Sequence, residues 1–227
     1  LAWFEGRYAK VPPTQYTAKK PNRRHVDYRI MPPYEPTPEQ TRQVLGKKGM
    51  EVASDFIDNQ CLTRFTDKAI DWMREKTEDA KRGKPFFLYL PHTMPHNPVH
   101  VSPEFKDQSE NGLYADCVEE IDWSTGKILD TLDELNLSGR TLVIFTSDNG
   151  AAKRWVGSNA PLSGYKGSVQ EGGMRVPCIA HWPSQIMHGQ RLDELTTTMD
   201  LFPTFVSLAG GDLPTDRHID GRDIWPM

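Results

Sequence analysis

Apolar residues recur along this chain at two different periods. Between residue 63 and about 76, Phe65, Ala69, Trp72 and Met73 fall at i, i+4, i+7 and i+8, which is one face of a helix. The basic stretch KRGK, 81–84, ends that helix. Residues 113 to 135 carry the longest stripe, made by Leu113, Cys117, Val118, Ile121, Ile128, Leu129, Leu132 and Leu135, with Asp and Glu expected on the opposite face. Three short runs are apolar throughout: PFFLYLP at 85–91, TLVIFT at 141–146 and VPCIAHW at 176–182. Such runs, aromatic or β-branched and bounded by breakers, predict buried strands. The order strand, helix, strand from 85 to 146 predicts a right-handed crossover between parallel strands, with both polar strand ends on one edge.

The remaining elements are shorter. In TTMDLFPTFVSLAGG, 197–211, Asp200 is a candidate cap, Pro203 fits a first turn and Gly210 is a stop. In TPEQTRQVLGKKG, 37–49, Thr37 can cap and Pro38 can open a short helix that stops at Gly46 or Gly49. Residues 1 to about 40 are rich in Pro, Tyr, Lys and Arg without a sustained period, so an irregular surface excursion is expected there. The chain therefore divides at about residue 62: an irregular, Pro-rich segment with short helices over 1–62, and an α/β portion over 63–227 in which helices flank a mixed, mostly parallel sheet.

Composition narrows the partners. The 227 residues carry a net charge of −4, and the pI is about 6.0. Neither supplies the basic footprint that nucleic acid or an anionic membrane surface demands. No run approaches the roughly 18 to 20 apolar residues of a membrane span. The start at Leu1 and the end at Met227 lead us to expect a piece of a longer protein, so the missing leader leaves the compartment open. Cys61, Cys117 and Cys178 are too few and too scattered for a disulfide framework or a zinc site, and at least two read as core residues.

Four polar stretches can carry chemistry. Asp148 and Asn149, in SDNG after the 141–146 run, offer a carboxylate and a carboxamide where ligands gather beyond strand ends. These are hard oxygens, suited to Ca²⁺ or Mg²⁺ and not to zinc, but Ca²⁺ takes about six to eight ligands, so two are not a site. Asp-Asn-Gly is equally a turn sequence, and both readings stand on this stretch alone. His92, His96 and His100 recur every fourth residue in PHTMPHNPVH, yet Pro95 and Pro98 exclude a regular metal-binding helix. A histidine in such a restrained loop suits donation to an anionic or leaving oxygen, or a plain bond to backbone. Lys166 lies between Gly164 and Gly167 in GYKGS, where an ammonium can approach an anion closely, although most lysines are merely solvated. EGGMR, 171–175, reads as a tight turn whose glycines take positive φ. In AAKRWVGSNAP, Lys153 or Arg154 can line a substrate mouth or stay solvated.

Taken in order, KPFFLYLPHTMPHNP, GLYADCVEEIDWSTGKILDTLDELNL, TLVIFTSDNG, LSGYKGSVQEGGMRVPCIAHWP, TTTMDLFPTFVSLAGG and IDGRDIWP resemble the arylsulfatase family of formylglycine-dependent sulfatases. The resemblance covers roughly residues 63 to 227. It implies an alkaline-phosphatase-like α/β fold, a bound Ca²⁺ and hydrolysis of a small-molecule or glycan sulfate ester to alcohol and inorganic sulfate. It also implies a periplasmic, secreted or lysosomal setting. Carried over residue by residue, Asp148 and Asn149 match the metal-binding Asp-Asn. Lys166 matches the sulfate-contacting lysine of Gly-x-Lys-Gly. His96 matches the histidine that helps bind sulfate and the leaving oxygen, with His92 the weaker match.

One departure accompanies the match. The family's formylglycine is made from the cysteine or serine that opens a Cys/Ser-x-Pro/Ala-x-Arg motif. At the two offsets Cys61 is followed by Thr63 and Phe65, Cys117 by Glu119 and Ile121, and Cys178 by an acceptable Ala180 but then Trp182. The resemblance places that motif, and the acidic pair completing the metal site, N-terminal to this region. A C-terminal portion of a catalytic domain, inactive alone, is therefore the expectation. Two alternatives stay open: a phosphodiesterase or phosphonate monoester hydrolase of the same superfamily, and a non-catalytic binder of sulfated glycans.

Overall fold

The computed structural model describes residues 8–10, 51–53, 57–96, 99–153 and 157–225. Its elements are β1 (Tyr8–Lys10), β2 (Glu51–Ala53), α1 (Cys61–Lys81), α2 (Leu113–Glu134), β3 (Val143–Thr146), the single-turn α3 (Glu171–Met174), β4 (Cys178–His181) and α4 (Leu201–Leu208). β1 pairs antiparallel with β2, Tyr8 opposite Ala53, so the first 62 residues contain a short ladder where only irregular chain and helices were expected. The helix expected over 37–49 lies outside the described residues. No helix among the described residues is long and apolar enough to cross a membrane.

The chain forms two compact units, 1–186 and 187–227. In the first, α1 packs on α2. The expected face of α1 is present: Ala69 and Met73 are buried, Phe65 and Trp72 half-buried, and Leu62, Thr66 and Thr77 extend it. α1 stops at Lys81, and Gly83 follows with φ +88°. Met73, Leu132 and Leu137 form the buried centre, ringed by Ile70, Trp72, Phe86, Leu88, Ile128 and Val143. Burying each large apolar side chain of this kind contributes about 1.5–3 kcal/mol. Trp72 meets Phe86 edge to face, centroids 5.2 Å apart.

α2 departs from the expected stripe. Leu113 and Val118 are exposed, whereas Asp116, Cys117, Glu120, Ser124, Thr131 and Leu132 are buried. The two acids are buried because the neighbouring chain supplies donors. Glu120 accepts from Thr63 Oγ1 at 2.9 Å and from the Ser102 amide at 2.9 Å. Asp116 accepts from the amides of Ser109, at 2.7 Å, and Asp107, at 3.0 Å. Those N–H groups, Ser109's foremost, hold the Asp116 carboxyl below the usual carboxylate range. Burial first, and then the charges of Glu120 and Asp116, push the Cys117 thiol up to about 12. Cys61 is likewise buried and Cys178 exposed, and none of the three forms a disulfide.

The expected parallel crossover is not formed among the described residues. Residues 85–91 are not in a ladder, although their exposure alternates as in a strand: Phe86, Leu88 and Leu90 are half-buried, Phe87 and Tyr89 exposed. An extended segment becomes a strand only when a partner takes its N–H and C=O groups. The ladder that forms is β3 with β4, and it is antiparallel, Val143 opposite His181 and Thr146 opposite Cys178. Its direction follows from the connection. Residues 147–177 leave β3 at its carboxyl end and return to that same end, closed by Gly150 N–H to Gly173 O (3.1 Å) and Thr146 Oγ1 to Pro177 O (3.0 Å).

In the second unit, α4 carries buried Pro203 and Thr204, and Gly210 follows it with φ +70°. Asp200 does not cap α4 with its side chain. Its carboxylate turns back to the Thr197 amide (2.7 Å) and outward to the Arg222 amide (2.8 Å). These two bonds, Arg222's first, hold its carboxyl below the usual range.

Candidate functional site

The 147–177 connection gathers most of the residues singled out from the sequence. Immediately beyond β3, Ser147 Oγ donates to Asn149 O (3.3 Å), and the Asn149 side-chain Nδ2 donates to the Asp148 carboxylate. Asp148 is exposed and Asn149 half-buried. The following residue has no room for a side chain, since a Cβ on Gly150 would lie 1.9 Å from Gly172 O.

That clash reveals what EGGM does. Gly172 and Gly173 are buried in α3, and neither takes a positive φ, contrary to expectation. Their glycine identity answers to close approach instead. A Cβ on Gly172 would stand 2.5 Å from Gly164 O, and one on Gly173 would stand 2.5 Å from both Ser168 O and Tyr165 O. The bare backbone is thus wedged between the Asp148-Asn149 loop and the Lys166 loop and bonds to each: Gly150 N–H to Gly173 O, and Gly172 N–H to Ser163 O at 2.7 Å. The Lys166 amide then donates to Ala151 O at 3.0 Å. Positive φ appears where it was not required by argument, at Gly164 (+94°) and Gly167 (+87°) on either side of the lysine. Lys166 itself is exposed.

Lys153 belongs to the same cluster. Its ammonium sits 4.9 Å from the centroid of the Tyr165 ring and 3.4 Å from the Tyr165 hydroxyl. Arg154 lies outside the described residues. Asn159, unnoticed in the sequence, bonds both the Ala151 and Gly164 backbones. Its only signal there was turn composition, Gly-Ser-Asn-Ala-Pro.

The histidines are divided. His92 Nε2 pairs with Ser124 Oγ on α2 at 3.1 Å, and Ser124 Oγ meets Thr66 Oγ1 on α1 at 2.5 Å. The His92 Nδ1 is buried with no hydrogen-bond partner among the described residues, and burial lowers the pKa of the ring, so its neutral form is favoured. His92 is therefore an anchor of its loop. His96, four residues on, is exposed. The His100 amide points at Met94 Sδ, 3.3 Å away.

The two loops offer the Asp148 carboxylate, the Asn149 carboxamide and the ammonium groups of Lys153 and Lys166 on a backbone tied at several points. Asp148 and Asn149 fit a hard cation in donor type. They fill only part of its coordination, and the described residues hold no group of three His, Cys, Asp or Glu able to complete it. Lys166 and Lys153 suit an anion such as a tetrahedral oxyanion.

The Sulfatase family model matches residues 9–211. Steryl-sulfatase of Rattus norvegicus is 44% identical over 172 residues, 72% of this chain and 29% of that protein. N-acetylgalactosamine-6-sulfatase of Sus scrofa is 48% identical over 163 residues, 68% of this chain and 31% of that protein. The solved structure of Ps i-CgsB in complex with k-i-k-neocarrahexaose superposes with a TM-score of 0.67 at 33% identity, over 73% of this chain and 37% of that one. The chain thus spans less than a third of the length of each of these two relatives.

Proposed function

The chain belongs to the sulfatase family, as part of an alkaline-phosphatase-like α/β domain, and from that premise we propose that the protein carrying it hydrolyses a sulfate ester to an alcohol and inorganic sulfate. The sulfur–oxygen ester bond breaks, the bridging oxygen leaves as the alcohol after taking a proton, and water supplies the oxygen of the released sulfate. Lys166 binds the sulfate oxygens and opposes the charge that gathers on them. His96 donates a hydrogen bond or proton to the bridging oxygen as it leaves. Lys153, held on Tyr165, contacts an anionic or hydroxyl group of the alcohol part. Asp148 and Asn149 would hold Ca²⁺ together with ligands from elsewhere in the protein, and the cation would supply charge withdrawal from the sulfate oxygens. The nucleophile, a formylglycine in the family, lies outside these residues, which contain no Cys/Ser-x-Pro/Ala-x-Arg motif. Residues 63–227 are on this reading the part of the catalytic domain that carries the sulfate lysine and half the metal site.

The observation that supports this most is the 3.0 Å bond from the Lys166 amide to Ala151 O, which fixes the lysine's backbone against a residue two positions beyond Asn149. The test is turnover of 4-nitrophenyl sulfate by the intact protein. Replacing Lys166 with Ala lowers kcat/KM about 10²–10³-fold, and removing calcium with a chelator abolishes turnover until calcium is returned. Faster turnover of the matching phosphate diester, or indifference to both treatments, would overturn the reading. A panel of sulfated sterols and sulfated sugars then selects the substrate class.

A further inference from the structure

We propose that Asn159 is a positioning residue for this reaction: it holds the loop of Lys166 in register with the loop of Asp148 and Asn149. The proposal rests on the role given above to Lys166. Asn159 Oδ1 accepts from the Ala151 amide at 2.7 Å, while Nδ2 donates to Ala151 O at 3.0 Å and to Gly164 O at 3.2 Å. One carboxamide therefore binds two residues 13 positions apart in the chain. Ala151 stands two residues after Asn149, and Gly164 two residues before Lys166. The Ala151 carbonyl is the shared point, because it also accepts from the Lys166 amide.

The chemistry leaves little choice of side chain. A carboxamide alone combines an acceptor with two donors, and here each is matched: the oxygen to an N–H, the nitrogen to two carbonyls. A carboxylate at this position would keep the bond to the Ala151 amide but face two carbonyl oxygens with no proton between them. Glutamine carries the same group on a longer arm, which would carry it past the Ala151 and Gly164 backbone groups that Asn159 reaches, and Gly150 leaves the room that Asn159 uses, since a Cβ there would come 3.1 Å from Asn159 Oδ1. The residue's own backbone is also tied, with Asn159 O accepting from the Leu162 amide at 2.8 Å. A displacement of about 1 Å in a group that meets the reacting atoms costs on the order of a hundredfold in rate, so losing this bracket is felt through Lys166, the Asn159 carboxamide itself being engaged with backbone.

The experiment is a double-mutant cycle in the intact, calcium-loaded protein with 4-nitrophenyl sulfate, using Asn159→Ala, Lys166→Ala and both together. Asn159→Ala is expected to lower kcat/KM about 10- to 100-fold. In the Lys166→Ala background the same change should cost no more than about twofold, since a residue acting through Lys166 has nothing left to position. Multiplying losses would assign Asn159 to the general fold and overturn the proposal, as would a loss under about twofold in the single variant. If Asn159→Ala does not fold, Asn159→Asp, which keeps the volume and one bond, takes its place in the cycle, and failure of both to fold also overturns it. Should Lys166→Ala itself leave turnover unchanged, the functional reading of Lys166 falls, and this proposal with it.

Discussion

Ser124 and His92 meet across 3.1 Å between α2 and the proline-restrained loop that carries His96. Ser124 also touches Thr66 of α1, and Thr66 Oγ1 donates to Leu62 O at 2.8 Å, so three segments are tied through one buried hydroxyl. Replacing Ser124 with Ala leaves both the histidine and the threonine short of a partner. The expected loss is about 1–3 kcal/mol, read from the denaturant midpoint of the intact protein, with a slope unchanged from the parent.

The same pair gives the protein a dependence on mild acid. Burial lowers the His92 pKa below the ordinary histidine value of about 6.5, so between the lowered and the ordinary value the unfolded chain binds a proton that the folded one refuses. Stability therefore falls as the pH drops below about 6.5 and levels off below the folded-state pKa. Unfolding midpoints measured from pH 7.5 down to 5 should show that slope, and His92→Gln should flatten it.

Two glycines of equal size should respond in opposite directions. A methyl on Gly172 meets the Gly164 carbonyl at 2.5 Å, while one on Gly126, inside α2, meets nothing within 4 Å. Gly172→Ala is expected to cost about 1–3 kcal/mol through forced backbone movement. Gly126→Ala should stabilise by about 0.5–1 kcal/mol by removing helix-interior freedom. Thermal unfolding of both variants beside the parent checks the pair, and loss of turnover should follow only the first.

Asp200 holds the segment around Arg222 through a single backbone bond, and Thr204 Oγ1 holds the Ile224 amide at 3.0 Å. Asp200→Ala should speed hydrogen exchange at the Arg222 amide while leaving that of Met73, deep in α1, unchanged. Because the Asp200 carboxyl is held below the usual range, its stabilising share is present above the ordinary aspartate value of about 3.9 and is lost as the pH falls through the lower folded value.

Periodicity made α1 legible, because Ala69 and Met73 of its buried face are apolar at helical spacing, although the helix extends beyond the expected 63–76 at both ends, from Cys61 to Lys81. It failed on α2 for a specific reason: Asp116 and Glu120 are buried against amides of residues 102–109, and no count of apolar positions can register a donor supplied by another segment. Residues 85–91 have a strand's alternation yet no ladder partner among the described residues, so composition identified the conformation without its pairing. At the candidate site, Asp148, Asn149 and Lys166 were singled out from an ordered set of motifs, and the structure brings their two loops together at the bond from the Lys166 amide to Ala151 O. Asn159, Gly172 and Gly173 were not, since what they do lies in the backbone atoms they approach. The antiparallel return of β4 was hidden likewise in the closure at Gly150 and Gly173.

The bracket around Ala151 and Gly164 engages only main-chain atoms of those two residues. The side chains of Ala152 and Lys153, just beyond the first tied point, take no part in it. On the proposed function, substitutions at Ala152 and Lys153 would change which alcohol is accepted, while the Lys166 backbone stays tied to Ala151 O.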